Sequence, residues 1–237
     1  MKIVIFANTP AQVHFYNNII LKLKEDGHQV KILIRNYGET IEVANELRLD
    51  YAVHSNPSSS KVGKIISLPL EILKAYKIMR NFRPDLVSGF GVYDAFTSAL
   101  LGSKCVEFTD SEPRVNRLFY AIQFKLYMPF VDAIITPESF RDNLGKKQIR
   151  VNSFKELAYL HPYYFKPDEG IKGLLGLRDC EDYVLLRFNA FDAVHDFGIG
   201  GFSNNDKIRL VCELEKYTKV FISSESGVPD EITCVFG

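Results

Sequence analysis

Two carboxylates and a guanidinium fall together in Thr109-Asp110-Ser111-Glu112-Pro113-Arg114. A carboxylate beside a like charge, or partly desolvated, is tuned towards taking a proton from a hydroxyl. Asp110 and Glu112 are therefore candidate general bases, with Arg114 beside them as a substrate contact. The competing reading is local, because Glu112-Pro113 also suits a helix entry without any catalytic role. A second run, Gly89-Phe90-Gly91-Val92-Tyr93-Asp94, has two glycines that permit close backbone approach and a Tyr93 hydroxyl for a sugar or phosphate. Asp94 reads first as the N-cap of the helix that follows. In a third run, Asn8-Thr9-Pro10-Ala11-Gln12 with His14, free N–H groups at a helix N-terminus would hold an anion. An Asn/Thr turn with His14 packed on the helix is the plain alternative. A fourth, Arg187 to Asp196, sets a guanidinium able to pair with an anion near His195 and Asp196, against the reading of an exposed loop.

The elements between these runs explain why all four deserve to be read together. Short β-branched segments alternate with helical patterns: Lys2–Ala7, Val13–Asp26, Gln29–Ile34, Thr40–Arg48, Tyr51–His54, Pro69–Phe82, Asp85–Ser88, Asp94–Leu101, Lys104–Phe108, Glu112–Tyr127 and Asp132–Thr136. This alternation predicts a doubly wound, Rossmann-like parallel sheet, in which ligands collect at the carboxyl ends of the strands. Each of the four runs follows a predicted strand. Gly27 and Gly102 stand where helices must stop. The two prolines and aromatics of His161–Glu169 suit an ordered crossing between domains. The expected organisation is an N-terminal domain over 1–160, a connection over 161–182 and a second α/β unit over 183–237. From Tyr183 the chain offers a strand, a loop, a helix near Asn205–Tyr217 and a strand at Lys219–Ser223. That is short of the ~100 to 150 residues of an ordinary domain. The expectation is an incomplete second domain and, for the chain by itself, no activity.

Composition excludes several classes. Lys plus Arg and Asp plus Glu both number 29, so the broad basic footprint of a nucleic-acid-binding protein is missing. Cys105, Cys180, Cys212 and Cys234 show no spacing for a disulfide framework or zinc, which fits a reducing cytoplasm. No signal-peptide pattern or membrane-spanning run is present. The loop after the first strand lacks GxGxxG, which argues against an NAD or FAD site.

The run Pro84-Asp85-Leu86-Val87-Ser88-Gly89-Phe90-Gly91-Val92-Tyr93, with Asp110-Ser111-Glu112-Pro113-Arg114-Val115-Asn116-Arg117, resembles the acceptor-side half of the lipid II N-acetylglucosaminyltransferases. The second of these runs also resembles a loop of the non-hydrolysing UDP-N-acetylglucosamine 2-epimerases, with Asp110 in the place of a glutamate and Arg114 in that of an arginine. Over nearly the whole chain, Asn8-Thr9-Pro10, Val13-His14-Phe15, Gly89–Tyr93 and Lys155-Glu156-Leu157-Ala158-Tyr159-Leu160-His161-Pro162 resemble an uncharacterised microbial family of unknown function related to both. The resemblance implies a GT-B-like fold, a nucleotide-sugar substrate with uridine as one nucleotide, and a lipid or glycan acceptor on the first domain. It adds Asn116 and Arg117 to the substrate contacts and calls for no cofactor or metal. The first loop departs from the transferases, with Gln12 where a histidine is usual and His14 its nearest substitute.

Three readings follow. The first is a glycosyltransferase in which Asp110, Glu112 or His14 activates the acceptor hydroxyl and helix N-termini with Arg187 stabilise the departing diphosphate. The second is a 2-epimerase-like enzyme, and the third a non-catalytic binding or scaffold protein, with self-association as one way to cover a short second domain. Around the third helix Lys61, Lys64, Lys74, Lys77, Arg80 and Arg83 interleave with leucine and isoleucine. That is the composition of a basic amphipathic segment at a membrane surface, and equally of an ordinary helix covering a sheet.

Overall fold

The computed structural model describes residues 1–56, 61–112, 118–188 and 202–224. Arg114, Asn116, Arg117, His195 and Asp196 lie outside the described residues. The chain divides into two units, Met1–Lys166 and Pro167–Gly237.

The first unit runs β1 (Lys2–Ala7), α1 (Pro10–Glu25), β2 (Gln29–Arg35), α2 (Thr40–Glu46), β3 (Tyr51–Ser55), α3 (Lys61–Met79), β4 (Leu86–Gly89), α4 (Val92–Leu101), β5 (Lys104–Phe108), α5 (Leu118–Tyr127), β6 (Ala133–Pro137), β7 (Gln148–Val151) and the single turn α6 (Leu157–Leu160). Its seven strands form one sheet in the order β3-β2-β1-β4-β5-β6-β7, with every neighbouring pair parallel. β1 is apolar after Lys2 and buried from Ile3 onward, as a central strand covered on both faces must be. Its alternate side chains serve opposite faces. Ile3, Ile5 and Ala7 pack with Val13, Tyr16 and Ile20 of α1, whereas Val4 and Phe6 pack with Ala75 and Met79 of α3. A third cluster joins Ala95 of α4, Cys105 of β5, Ile134 of β6 and Phe124 of α5.

Helix ends follow local chemistry. Thr9 caps α1 by accepting the Gln12 N–H at 3.3 Å, with Pro10 in the first turn. Gly27 and Gly102 take positive φ of 82° and 67° where α1 and α4 stop. Asp94 is not the N-cap of α4. Gly91 holds that place with φ 152°, a conformation open mainly to glycine, and Asp94 reaches back from the third helical position to accept the Gly91 N–H at 3.1 Å. Helix α3 begins at Lys61, eight residues before the expected start, and carries Pro69 inside it. Proline removes only one helical hydrogen bond. Pro69 lies on the exposed side, and Ile72, Ala75 and Met79 keep the opposite side in the core. Strand β7 is an edge strand that the sequence pattern does not announce, with Ile149 and Val151 exposed.

The order reverses at β1, which pairs with β2 on one side and β4 on the other. At such a switch point the crossovers leave to opposite faces, and a crevice opens at the carboxyl ends of the two strands. In the second unit, β8 (Tyr183–Phe188) and β9 (Lys219–Ser224) pair in parallel. Helix α8 (Asn204–Glu215) between them is capped by Ser203, which accepts the Asp206 N–H at 3.2 Å. A short helix, α7 (Ile171–Leu174), precedes them. No helix among the described residues is long and apolar enough to cross a membrane.

Candidate functional site

A groove of about 1020 Å³ opens in the first unit over the carboxyl ends of β5 and β6, between α1 and the segment from Val151 to Tyr164. Its floor is aromatic. Phe15 of α1 meets Phe90 and Phe108 edge to face at 5.1 and 4.8 Å between ring centroids, a geometry favoured by the ring quadrupoles. Asp110 and Lys155 stand in the lining with their charged groups 2.6 Å apart, their side chains 37% and 26% exposed. Burial works against the Lys155 charge, but the hydrogen bond and charge of Asp110 outweigh it and raise the ammonium pKa. Asn18 ties the groove's two walls by donating to the Ala158 carbonyl at 2.8 Å.

Beside the groove, the switch point carries a network centred on His54 at the end of β3. The ring is fully buried, lies edge-on to Phe6, and has Nε2 2.8 Å from Asn8 Oδ1. Burial lowers its pKa to about 4, so the neutral ring donates from Nε2 and holds the Asn8 carboxamide in one orientation. The Asn8 backbone N–H is itself taken by Gln12 Oε1 at 2.7 Å. On the far side His54 meets the ring of Tyr93 at 5.1 Å, and the Tyr93 hydroxyl donates to Glu71 Oε2 at 2.7 Å. Burial, then the bond to Glu71, push the Tyr93 hydroxyl up to about 12. Burial opposes the Glu71 charge, but the hydroxyl of Tyr93, with those of Ser55 and Ser67 nearby, prevails and keeps the carboxyl below its usual range.

Directly under the Gly89–Gly91 turn sits a pair of carboxyls, Asp94 and Glu107, each 1% exposed. With the Cys105 thiol they place three donor atoms within 4.8 Å of one another. A cation there would have to displace protons from its donors, and without one burial drives all three towards the protonated form. It raises Asp94 and, with the charge of Asp94, raises Glu107 far above the carboxylate range and lifts the Cys105 thiol as well. A retained proton shared by Glu107 and Asp94 accounts for the arrangement. Asp94 is thereby left to accept the Gly91 N–H. Gly89 is part of the same device, since a Cβ there would lie 2.4 Å from the Asp94 carboxyl carbon.

The candidate residues thus separate. Asp110 lines the groove, and Gly89, Gly91, Asn8 and Tyr93 gather around the switch point. The close approach at Gly89 is made by the Asp94 carboxyl, and the Tyr93 hydroxyl is turned to Glu71. Glu112 accepts the Arg141 backbone N–H at 2.8 Å. The His14 ring meets that of Tyr159 at a tilt, with centroids 5.7 Å apart, and is not among the described residues that line the groove. Arg187 is exposed on β8 of the second unit. Sequence reasoning missed His54, Glu71 and Glu107. Of these Glu107 left a signal, a carboxylate inside a predicted strand of a sheet that must be buried on both faces.

The fold has clear counterparts. The chain is similar to the UDP-GlcNAc 2-epimerase of Neisseria meningitidis solved with UDP-GlcNAc, with 13% identity, TM-score 0.64 and coverage of 99% of this chain and 68% of that one. For the UDP-GlcNAc 2-epimerase of Methanocaldococcus jannaschii the figures are 17%, 0.64, 94% and 65%. For the Streptomyces glycosyltransferase SsfS6 complexed with thymidine diphosphate they are 14%, 0.55, 95% and 68%. The chain spans about two thirds of the length of these proteins. It has their GT-B-like, Rossmann-type α/β fold. No protein-family profile matches the chain, and no curated protein matches it in sequence.

Proposed function

We propose that this chain belongs to a nucleotide-sugar-dependent glycosyltransferase of GT-B type, with the acceptor seated in the groove of the first unit. The observation that carries the reading is the Asp110–Lys155 pair set into an aromatic-floored groove at the carboxyl ends of β5 and β6. Aromatic faces suit the C–H surface of a sugar or an apolar acceptor, and Asp110 supplies the one proton acceptor that transfer to a hydroxyl requires. Glu112 and His14 are weaker candidates for that role, because the first is engaged with Arg141 and the second with Tyr159. In the step itself, Asp110 accepts the acceptor's hydroxyl proton while the hydroxyl oxygen bonds to the anomeric carbon. The bond from that carbon to the nucleoside diphosphate breaks, and the diphosphate leaves with the electron pair. Lys155 holds the Asp110 carboxylate in one orientation until the acceptor's hydroxyl approaches it. The positive N-terminal end of α1 is the proposed counter-charge for the diphosphate.

The test begins with binding. Calorimetric titration of uridine, thymidine and guanosine diphospho-sugars into the chain and into any longer form of it should pick out one nucleotide. A protein that binds none of them at millimolar concentration refutes the reading. Incubation with the donor it binds separates the enzyme classes: a transferase needs an added acceptor, whereas conversion of UDP-N-acetylglucosamine to its 2-epimer without one establishes the epimerase reading instead.

A further inference from the structure

Helices α3, α4 and α5 cover one face of the first unit's sheet, α4 packing against both of the others. Phe96 of α4 meets Phe130, just beyond α5, at 5.3 Å between ring centroids. The outer side of this layer is unusual in two ways. Large apolar side chains stand in solvent: Leu70 and Leu126 are 68% and 63% exposed, and Leu73, Leu100 and Ile122 join them. The charges among them have one sign, with Lys74, Lys77, Arg80 and Lys125 all exposed. Among the described residues of the three helices only Glu71 and Asp94 are acidic, and both are spent inward, on Tyr93 and on Gly91. In a chain whose formal charge is zero, this is local segregation of positive charge onto an apolar face.

We infer that this outer face of α3, α4 and α5 docks the protein on an anionic lipid surface. Leucine and isoleucine side chains enter the boundary between headgroups and acyl chains, while the lysines and Arg80 meet anionic headgroups, a combination neither neutral lipid nor bulk water satisfies. A second copy of the chain fits the face poorly, because a twofold contact would set lysine against lysine. The groove lies between α1 and α6 and uses none of these residues, so the inference stands apart from the proposed transfer reaction.

The experiment is co-sedimentation of the full chain with vesicles of phosphatidylcholine alone and of phosphatidylcholine mixed with phosphatidylglycerol. Binding is expected to the mixed vesicles only and to weaken as salt is raised. The variants Leu70→Ser/Leu126→Ser and Lys74→Glu/Lys77→Glu should each lower the partition coefficient by roughly tenfold or more. All four side chains are exposed, so circular dichroism should be unchanged, and if the leucine variant misfolds the charge variant decides. A chain left in the supernatant with anionic vesicles, or bound equally well after the charge reversal, overturns the inference. So does self-association in sedimentation velocity that the same substitutions abolish.

Discussion

Glu107→Gln tests the shared proton beneath the Gly89–Gly91 turn. In the folded chain burial and the neighbouring Asp94 raise the Glu107 pKa far above its ordinary value, so Glu107 is protonated at neutral pH, whereas unfolded it titrates near 4.3. A raised folded pKa means that the folded state binds the extra proton. The stability it contributes is therefore fully present below the unfolded pKa and is lost as pH rises towards the folded one. At ~1.4 kcal/mol per pH unit, the native state has lost about 3 to 4 kcal/mol by pH 7 relative to its value near pH 4. Glutamine has the same shape and is neutral throughout, and its amide N–H can donate to Asp94 where the carboxylic acid did. The variant should fall below the wild type by about 1 to 2 kcal/mol near pH 4.5, where imperfect amide geometry is the only difference, and exceed it by about 3 to 4 kcal/mol near pH 8. Urea denaturation followed by circular dichroism across this range measures the difference. Taking variant minus wild type cancels titrating groups outside the pair, His54 among them. A variant no more stable at pH 8, or a difference independent of pH, would show that Glu107 is ionised in the folded protein and that the pair does not share a proton.

Gly89→Ala should destabilise the first unit by roughly 1 to 3 kcal/mol, since the new methyl would overlap the Asp94 carboxyl in a fully packed site; the urea midpoint reads it, and an unchanged midpoint refutes the packing argument. The His54 ring should remain neutral from pH 8 down to about 5, because burial lowers its pKa to about 4. A folded pKa below the unfolded one contributes stability present above pH ~6.5 and lost as pH falls towards 4, and a proton NMR titration showing His54 charged at pH 6 would contradict it. Asp110→Asn should lower transfer by a factor of 100 or so while leaving donor affinity within about threefold, if Asp110 acts as the base, and loss of donor binding instead would move Asp110 from acceptor to donor chemistry.

Much of the architecture was legible in the sequence because buried parallel strands and their covering helices leave distinct periods. KIVIFA reads as a strand covered on both faces, Gly27 and Gly102 mark helix ends by a conformation few other residues take, and the βα alternation carries the doubly wound sheet. Less legible are the start of α3, where Pro69 reads as a boundary although a helix tolerates a proline on the side away from the core, and β7, whose short edge position leaves no burial pattern. For the site, position at a strand's carboxyl end was readable, since it depends only on element order. Which side chains meet was not. Asp110 pairs with Lys155 across 45 positions of sequence, and His54 fixes Asn8 across 46, contacts that exist only once the sheet brings β1, β3 and β5 and the segment before α6 to one end. The protonation of Glu107 is likewise a property of the packed core. The same carboxyl on an open chain would be charged, and only the exclusion of water by the folded sheet, with Asp94 held against it, keeps its proton in place.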